Sequence, residues 1–130
     1  MCNRNCDRFC PNFIFSDSIT VVTVDGVDTL VIDIPAPASA YYNCRKICLA
    51  LTEAIPDAAT LEMPVAISIG GDTTTVYPIV DCTGLQIVAK QIVTRYKYKL
   101  KVFTNATSGV FKVYNLPNCI SRTVLPTLEV

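Results

Sequence analysis

The sequence predicts an all-β protein, an antiparallel, jelly-roll-like β-sandwich of about eight strands preceded by a Cys-rich N-terminal arm. Two observations predict the sandwich. From residue 19 onward, short runs rich in Val, Ile, Thr and Tyr follow one another, separated by Gly, Pro, Asn and Asp. No segment requires an amphipathic helix. The polar, Cys-rich start of the chain predicts an arm over residues 1–15, which leaves 16–130 for the sandwich domain.

The first hairpin is predicted from ITVVTV (19–24) and TLVIDI (29–34), because Asp25-Gly26 between two β-branched runs is a strong hairpin signal. Two prolines that follow residue 34 end the second strand. The segment KICLALTEAI (46–55) fits a buried strand or a short helix, since periodicity cannot settle a short apolar run. Its neighbouring strands and Pro56 favour a strand.

The second hairpin is predicted from MPVAISIG (63–70) and TTTVYPIV (73–80), which flank a Gly-Gly-Asp turn. Further strands are predicted in LQIVAKQIVT (85–94), RYKYKLKVFT (95–104), VFKVYNL (110–116) and the short run 120–125.

Composition predicts a chain that associates with other chains. Hydrophobic residues make up 51% of it and charged residues 17%, and the mean hydropathy is +0.40. Eleven basic residues balance eleven acidic ones, and a net charge of zero favours association. Because a basic surplus is absent, we expect no nucleic-acid partner. The apolar runs are too short to span a membrane and no signal peptide is seen, so we expect no membrane partner.

The thiols form two groups. Cys2, Cys6 and Cys10 are spaced by four residues, so they share one face of a helix or a strand. In an extended chain neighbouring thiols would be roughly 13 Å apart, beyond the roughly 7 Å between Cα atoms that a disulfide allows. Because the total of seven is odd, at least one thiol is unpaired or intermolecular.

We interpret the arm thiols as anchors to another subunit. The alternatives are free thiols in a reducing compartment or a zinc site, since C-x3-C is an allowed ligand spacing. Cys44, Cys48 and Cys82 lie in or beside apolar runs and also fit inert buried cysteines. We predict no metal and no cofactor.

A basic face is predicted in the strand RYKYKLKVF. Alternation places Arg95, Lys97, Lys99 and Lys101 on one side, opposite an apolar and aromatic side. Such a face can be the wet side of a half-buried strand that also resists edge pairing. It can also meet an acidic protein surface or a phosphate backbone, and the zero net charge favours the protein.

No catalytic residue is predicted. The chain has no histidine, which excludes the commonest general base and the Ser–His and Cys–His arrangements. Carboxylates recur in two groups beside turns, where acids bond the local backbone. The three acids that could hold calcium are too scattered for a known loop. The groups are Asp25, Asp28 and Asp33, then Glu53, Asp57 and Glu62, and the calcium candidates are Asp25, Asp28 and Asp72.

Several segments carry a resemblance. CNRNCDRF, the strand around Cys48, AIPDAATLEMPVAISIG with YPIV, and TRYKY resemble small Cys-rich proteins of gut clostridia and their prophages. A Cys-bearing arm before a sandwich is also similar to endospore appendage subunits of bacilli and to phage decoration proteins. The appendage resemblance implies that the arm thiols are fixed by disulfides to a neighbouring subunit. The candidate partner thiols are then Cys44, Cys48, Cys82 and Cys119.

The expected function is assembly without enzymatic activity. We predict a phage virion protein, capsid-associated or decorating, that docks through its arm onto copies of itself or another shell protein. One alternative is a disulfide-cross-linked filament subunit on a spore or cell surface, which would likewise place the protein in an extracellular assembly. Another is a sandwich that binds a ligand or glycan through Tyr41-Tyr42, although the absence of tryptophan disfavours it.

Overall fold

The computed structural model describes residues 13–104 and 108–117 and shows an all-β protein. Eight strands form one mixed sheet in the order β1-β4-β7-β8-β6-β5-β3-β2, curled into a half-barrel. Two short 3₁₀ turns, Ala38–Ala40 and Ala89–Gln91, lie in the connections. The strands are β1 (Phe13–Phe15), β2 (Ser18–Val24), β3 (Val27–Ile34), β4 (Lys46–Ala50), β5 (Val65–Ile69), β6 (Asp72–Val80), β7 (Lys97–Thr104) and β8 (Gly109–Val113).

Both predicted hairpins are confirmed. β2 pairs with β3 across Asp25 and Gly26, whose φ angles of 51° and 81° are those of a left-handed two-residue turn. β5 pairs with β6 across Gly70 and Gly71. Glycine is required at position 70 for two reasons. Its φ of 64° is in the left-handed region, and a Cβ there would lie only 2.9 Å from the Cβ of Ala36.

The strand pairing differs from the predicted antiparallel sandwich. The pairs β1–β4, β3–β5 and β6–β8 are parallel, and the other four pairs are antiparallel. Each parallel pair joins strands that are not consecutive in the chain. Residue alternation identifies a strand but does not identify its partner, so these long-range pairings were not readable from the sequence.

Two residues connect the two edges of the curled sheet. β1 and β2 stand at opposite ends of the strand order, yet only Ser16 and Asp17 separate them along the chain. The N–H of Ser16 donates to the carbonyl of Ala50 at the end of β4, at 3.0 Å. The N–H of Asp17 donates to the carbonyl of Asp33 in β3, at 2.8 Å. One continuous segment therefore spans the gap between β4 and β3.

Side chains of Thr52 and Ser16 strengthen this junction. The Thr52 N–H donates to Oγ of Ser16 at 3.0 Å, and the Thr52 hydroxyl donates to the Ser16 carbonyl at 3.0 Å. Ser16 is 4% exposed, so these bonds satisfy polar groups that have left water.

A single hydrophobic core fills the concave side of the sheet. In β3 the core-facing residues are Leu30, Ile32 and Ile34, spaced by two as alternation requires. Phe111 of β8 is fully buried in the same cluster. The core therefore draws on both halves of the sheet.

One predicted strand is shorter in the structure, and another is not a strand. KICLALTEAI forms β4 over Lys46–Ala50, and residues 51–55 continue irregularly. LQIVAKQIVT (85–94) does not form a strand: it contributes isolated bridges and a 3₁₀ turn. Nε2 of Gln86 lies 2.9–3.0 Å from the carbonyl oxygens of Val65, Ile79 and Ile87. The Gln86 side chain thus binds backbone carbonyl groups at a place where the hydrogen bonds between strands end.

The last residues of the predicted arm, Phe13–Phe15, form β1 and pair with β4 of the same chain. Residues 1–12 and the predicted run 120–125 lie outside the described residues.

Candidate interaction surface

The outward side of β7 is basic. Lys97 and Lys99 are exposed and Lys101 is half-buried on the same side, while Tyr98 and Leu100 between them point into the core. The cause is strand alternation, with the apolar set taking the concave side of the sheet.

Arg95, predicted to begin this row, lies instead in the turn before β7. Its φ is 64° and its N–H donates to the carbonyl of Leu51 at 2.9 Å. Tyr96, expected on the buried side, is 40% exposed. The left-handed residue breaks the extended alternation, so the strand begins two residues later than the sequence pattern indicates.

The sheet adds two lysines that sequence reasoning did not place on this face. Lys46 of β4 lies directly opposite Lys101, and Lys101 lies directly opposite Lys112 of β8. β4, β7 and β8 contain no Asp or Glu. Like charges placed directly opposite one another on a sheet are destabilising. We call this set the basic face; its members are Lys46, Lys97, Lys99, Lys101 and Lys112.

Aromatic rings lie under the ammonium groups of the basic face. Nζ of Lys101 is 5.4 Å from the centroid of the Phe103 ring, and Nζ of Lys112 is 5.8 Å from that ring and 5.9 Å from the ring of Tyr114. Each such contact contributes about 0.5–1 kcal/mol at an exposed site. The rings therefore offset part of the repulsion in the lysine row.

The carboxylates of the first hairpin bond local groups. Asp28 accepts a hydrogen bond from the hydroxyl of Thr23 at 2.8 Å. Asp33 accepts one from the hydroxyl of Ser68 and one from the N–H of Gly71, both at 2.7 Å. The second contact ties the β2–β3 hairpin to the turn of the β5–β6 hairpin.

Other carboxylates also serve turns. Asp72 accepts bonds from the hydroxyl and the N–H of Thr74, and these bonds lower the pKa of Asp72. Asp81 accepts from the hydroxyl and N–H of Thr83 and from the N–H of Leu85. Among residues 13–104 and 108–117, no group of three metal-ligating side chains occurs. We call the hairpins β2–β3 and β5–β6 the acidic hairpins, since they carry Asp25, Asp28, Asp33 and Asp72 and no Lys or Arg.

The signs of charge are separated along the chain and across the sheet. Residues 13–81 contain nine acidic and two basic residues, whereas residues 82–117 contain six basic and no acidic residues. In the sheet, the basic strands β4, β7 and β8 are neighbours, and so are the acidic-hairpin strands β6, β5, β3 and β2. The sequence prediction missed this because it took the net charge over the whole chain. A comparison of the net charge of residues 13–81 with that of residues 82–117 would have revealed the separation of charge.

The thiols of the described part differ in environment. Cys44 is a free, exposed thiol at a φ of 74°, which does not fit an inert buried cysteine. Cys48 is fully buried on the outward side of β4, in register between Phe13 and Lys99. Cys82 is disulfide-bonded and packs against the core, so it is not an inert buried cysteine either. Cys2, Cys6, Cys10 and Cys119 lie outside the described residues.

Tyr41 and Tyr42 do not form a pair of exposed rings. Tyr41 is 5% exposed and its hydroxyl donates to the carbonyl of Pro35 at 2.7 Å. Burial raises the pKa of Tyr41, an effect that the nearby Arg45 partly offsets. Tyr42 is exposed, with the guanidinium carbon of Arg45 5.5 Å from its ring centroid. Only Tyr42 is left to stack on a sugar.

Large apolar side chains are exposed at several places on the described surface. Val93 and Tyr96 line a groove of about 430 Å³ together with Tyr98, Leu116 and Pro117. The Tyr98 hydroxyl at its wall accepts a hydrogen bond from the N–H of Val93 at 2.7 Å. The exposed set is Phe15, Val27, Tyr42, Leu61, Leu85, Val93 and Tyr96, with exposed fractions between 40% and 68%.

No protein-family model, curated protein or solved structure matches this chain. None of the helices that the structure describes has the length and apolarity to cross a membrane.

Proposed function

We propose that this chain is a non-enzymatic structural subunit that assembles with copies of itself or with another shell protein, as a capsid-associated or decoration protein of a phage virion does. The observation that carries the proposal is the apolar groove in which Val93 and Tyr96 are exposed together, at 56% and 40%, beside Leu116 and Pro117. A contiguous exposed apolar surface marks an interaction site.

Two properties of the whole sequence support a non-enzymatic role in assembly. A net charge of zero removes the repulsion that keeps copies apart. The absence of histidine leaves the chain without the commonest general acid–base group.

The arm is proposed to dock on the neighbour. Residues 1–12 join the domain at β1, which stands at one end of the strand order and pairs with β4 over only three residues. Arm thiols would add a covalent lock where the compartment is oxidising.

A second candidate is a subunit of a filament on a spore or cell surface. Separation of the two charge signs favours it, because contacts between unlike surfaces of identical copies form open filaments when the rotation does not close. A glycan-binding module is less well supported, since Tyr41 is buried.

The test compares the full chain with a variant that lacks residues 1–12, using size-exclusion chromatography with light scattering, with and without reductant. We expect oligomers of the full chain and weaker association of the truncated chain, whose domain still contains β1. Glu53→Gln, a change at an exposed residue outside the arm, serves as the control and should associate like the full chain. A full chain that is monomeric under all these conditions would contradict the proposal.

A further inference from the structure

The basic face and the tip of the β2–β3 hairpin carry opposite charges on one molecule. We propose that the basic face of one copy docks on the β2–β3 tip of a second copy, which carries Asp25 and Asp28, in a head-to-tail contact. This inference rests on the proposed assembly function and specifies which surfaces meet.

The first argument is the cost of the lysine row in the isolated chain. Lys46, Lys101 and Lys112 are directly opposed across three neighbouring strands. Like charges directly opposite one another destabilise a sheet. Carboxylates of a partner surface placed beside the row lower this repulsion.

The second argument is that the complementary surface is present on the same chain. Asp25 and Asp28 are exposed at the tip of β2–β3, a hairpin with no Lys or Arg. The other two carboxylates of the acidic hairpins, Asp33 and Asp72, lie at the opposite end of β3, where Ile34 is in register with Ile69 and Ile69 with Asp72. The surface that fits the basic face is therefore the tip of β2–β3. The net charge of zero is thus the sum of regions with opposite charge.

The third argument concerns geometry. β7 and β3 lie on different halves of the curled sheet, with β8, β6 and β5 between them. The basic face and the β2–β3 tip are therefore separate surfaces. A contact between unlike surfaces leaves each copy with one unused basic face and one unused acidic surface, and assembly can continue.

The experiment uses two full-length charge-reversal variants. The first is Lys101→Glu with Lys112→Glu, and the second is Asp25→Lys with Asp28→Lys. Measured by sedimentation velocity, each variant alone should associate at least about tenfold more weakly than the wild type, since interface charge pairs contribute more than about 1.4 kcal/mol. An equimolar mixture should recover association, because each variant keeps one native surface that fits the other variant.

A control is Lys90→Glu, which reverses one lysine outside the basic face, at a residue that pairs with Glu62 at 2.8 Å. It should leave association unchanged. A wild type that associates while both variants associate equally well would overturn the docking contact but not the assembly function. A wild type that never associates would overturn both.

The rival occupant of the basic face is a nucleic acid or another polyanion. Fluorescence anisotropy of a labelled single-stranded oligonucleotide measures this directly. We expect no saturable binding at physiological salt. Oligonucleotide binding that Lys101→Glu with Lys112→Glu abolishes, in a wild type whose association the reversals leave unchanged, would overturn the second copy as occupant.

Discussion

Phe111→Ala is the substitution that most severely tests the single core of the half-barrel. Phe111 of β8 is fully buried, and its ring centroid lies 6.3 Å from that of Tyr41 and 6.0 Å from that of Tyr77. A buried Phe→Ala change costs about 3–5 kcal/mol. Two aromatic contacts of about 0.5–1.5 kcal/mol each place this site in the upper half of that range. A domain of this size has about 5–15 kcal/mol of total stability.

The assay is urea unfolding followed by far-UV circular dichroism, and the matched control is Phe103→Ala on the outward side of β7. We expect Phe111→Ala to lower the free energy of unfolding by about 4 kcal/mol with an unchanged dependence on urea. The control should lose about 1 kcal/mol, the value of its contacts with lysine ammonium groups. Equal losses for the two variants, or a loss below about 1.5 kcal/mol for Phe111→Ala, would refute the core as described.

Three further predictions concern charge, the sheet junction and pH. Lys101→Gln removes both like-charge contacts of the lysine row and should raise the free energy of unfolding by about 0.5 kcal/mol in low salt, with a smaller gain in high salt; urea unfolding at two ionic strengths checks this. Ser16→Ala and Thr52→Val should each lower the free energy of unfolding by about 1–2 kcal/mol, because each removes a side-chain hydrogen bond to the backbone of the other residue. Urea unfolding that shows no loss for either variant would exclude the bonded junction. Burial raises the pKa of Tyr98 and of Tyr41 above the ordinary 10.0, so the folded state keeps protons that the unfolded state has lost. The contribution of these tyrosines to stability should therefore be constant below pH 10 and fall as pH rises beyond it, and the fall should be less steep in Tyr98→Phe, as urea unfolding across that range would measure.

Local signals in the sequence identified most strands. The Asp25-Gly26 and Gly70-Gly71 turns and the alternation in Lys97–Val102 are all present in the structure. These features depend on residues close in sequence, where turn chemistry and side-chain alternation act directly. Pairing between distant strands depends on the shape of the whole core. The parallel pairs and the curled sheet therefore could not be predicted from the same patterns.

The candidate surface was predicted in part for the same reason. Lys97, Lys99 and Lys101 were predicted from one strand, but Lys46 and Lys112 join them only through cross-strand register. Asp33 was grouped with its sequence neighbours, yet its bonds to Ser68 and Gly71 cross between hairpins. The thiol interpretation of the arm stays a prediction, because those cysteines lie outside the described residues.

Sedimentation equilibrium of the unmodified full chain, over a wide range of protein concentration and at low and high salt, measures self-association most directly. We predict a weight-average mass that rises with concentration well above the 14.2 kDa of one chain, with weaker association at high salt. A mass that stays at one chain throughout, at either ionic strength, would contradict assembly as the role of this protein.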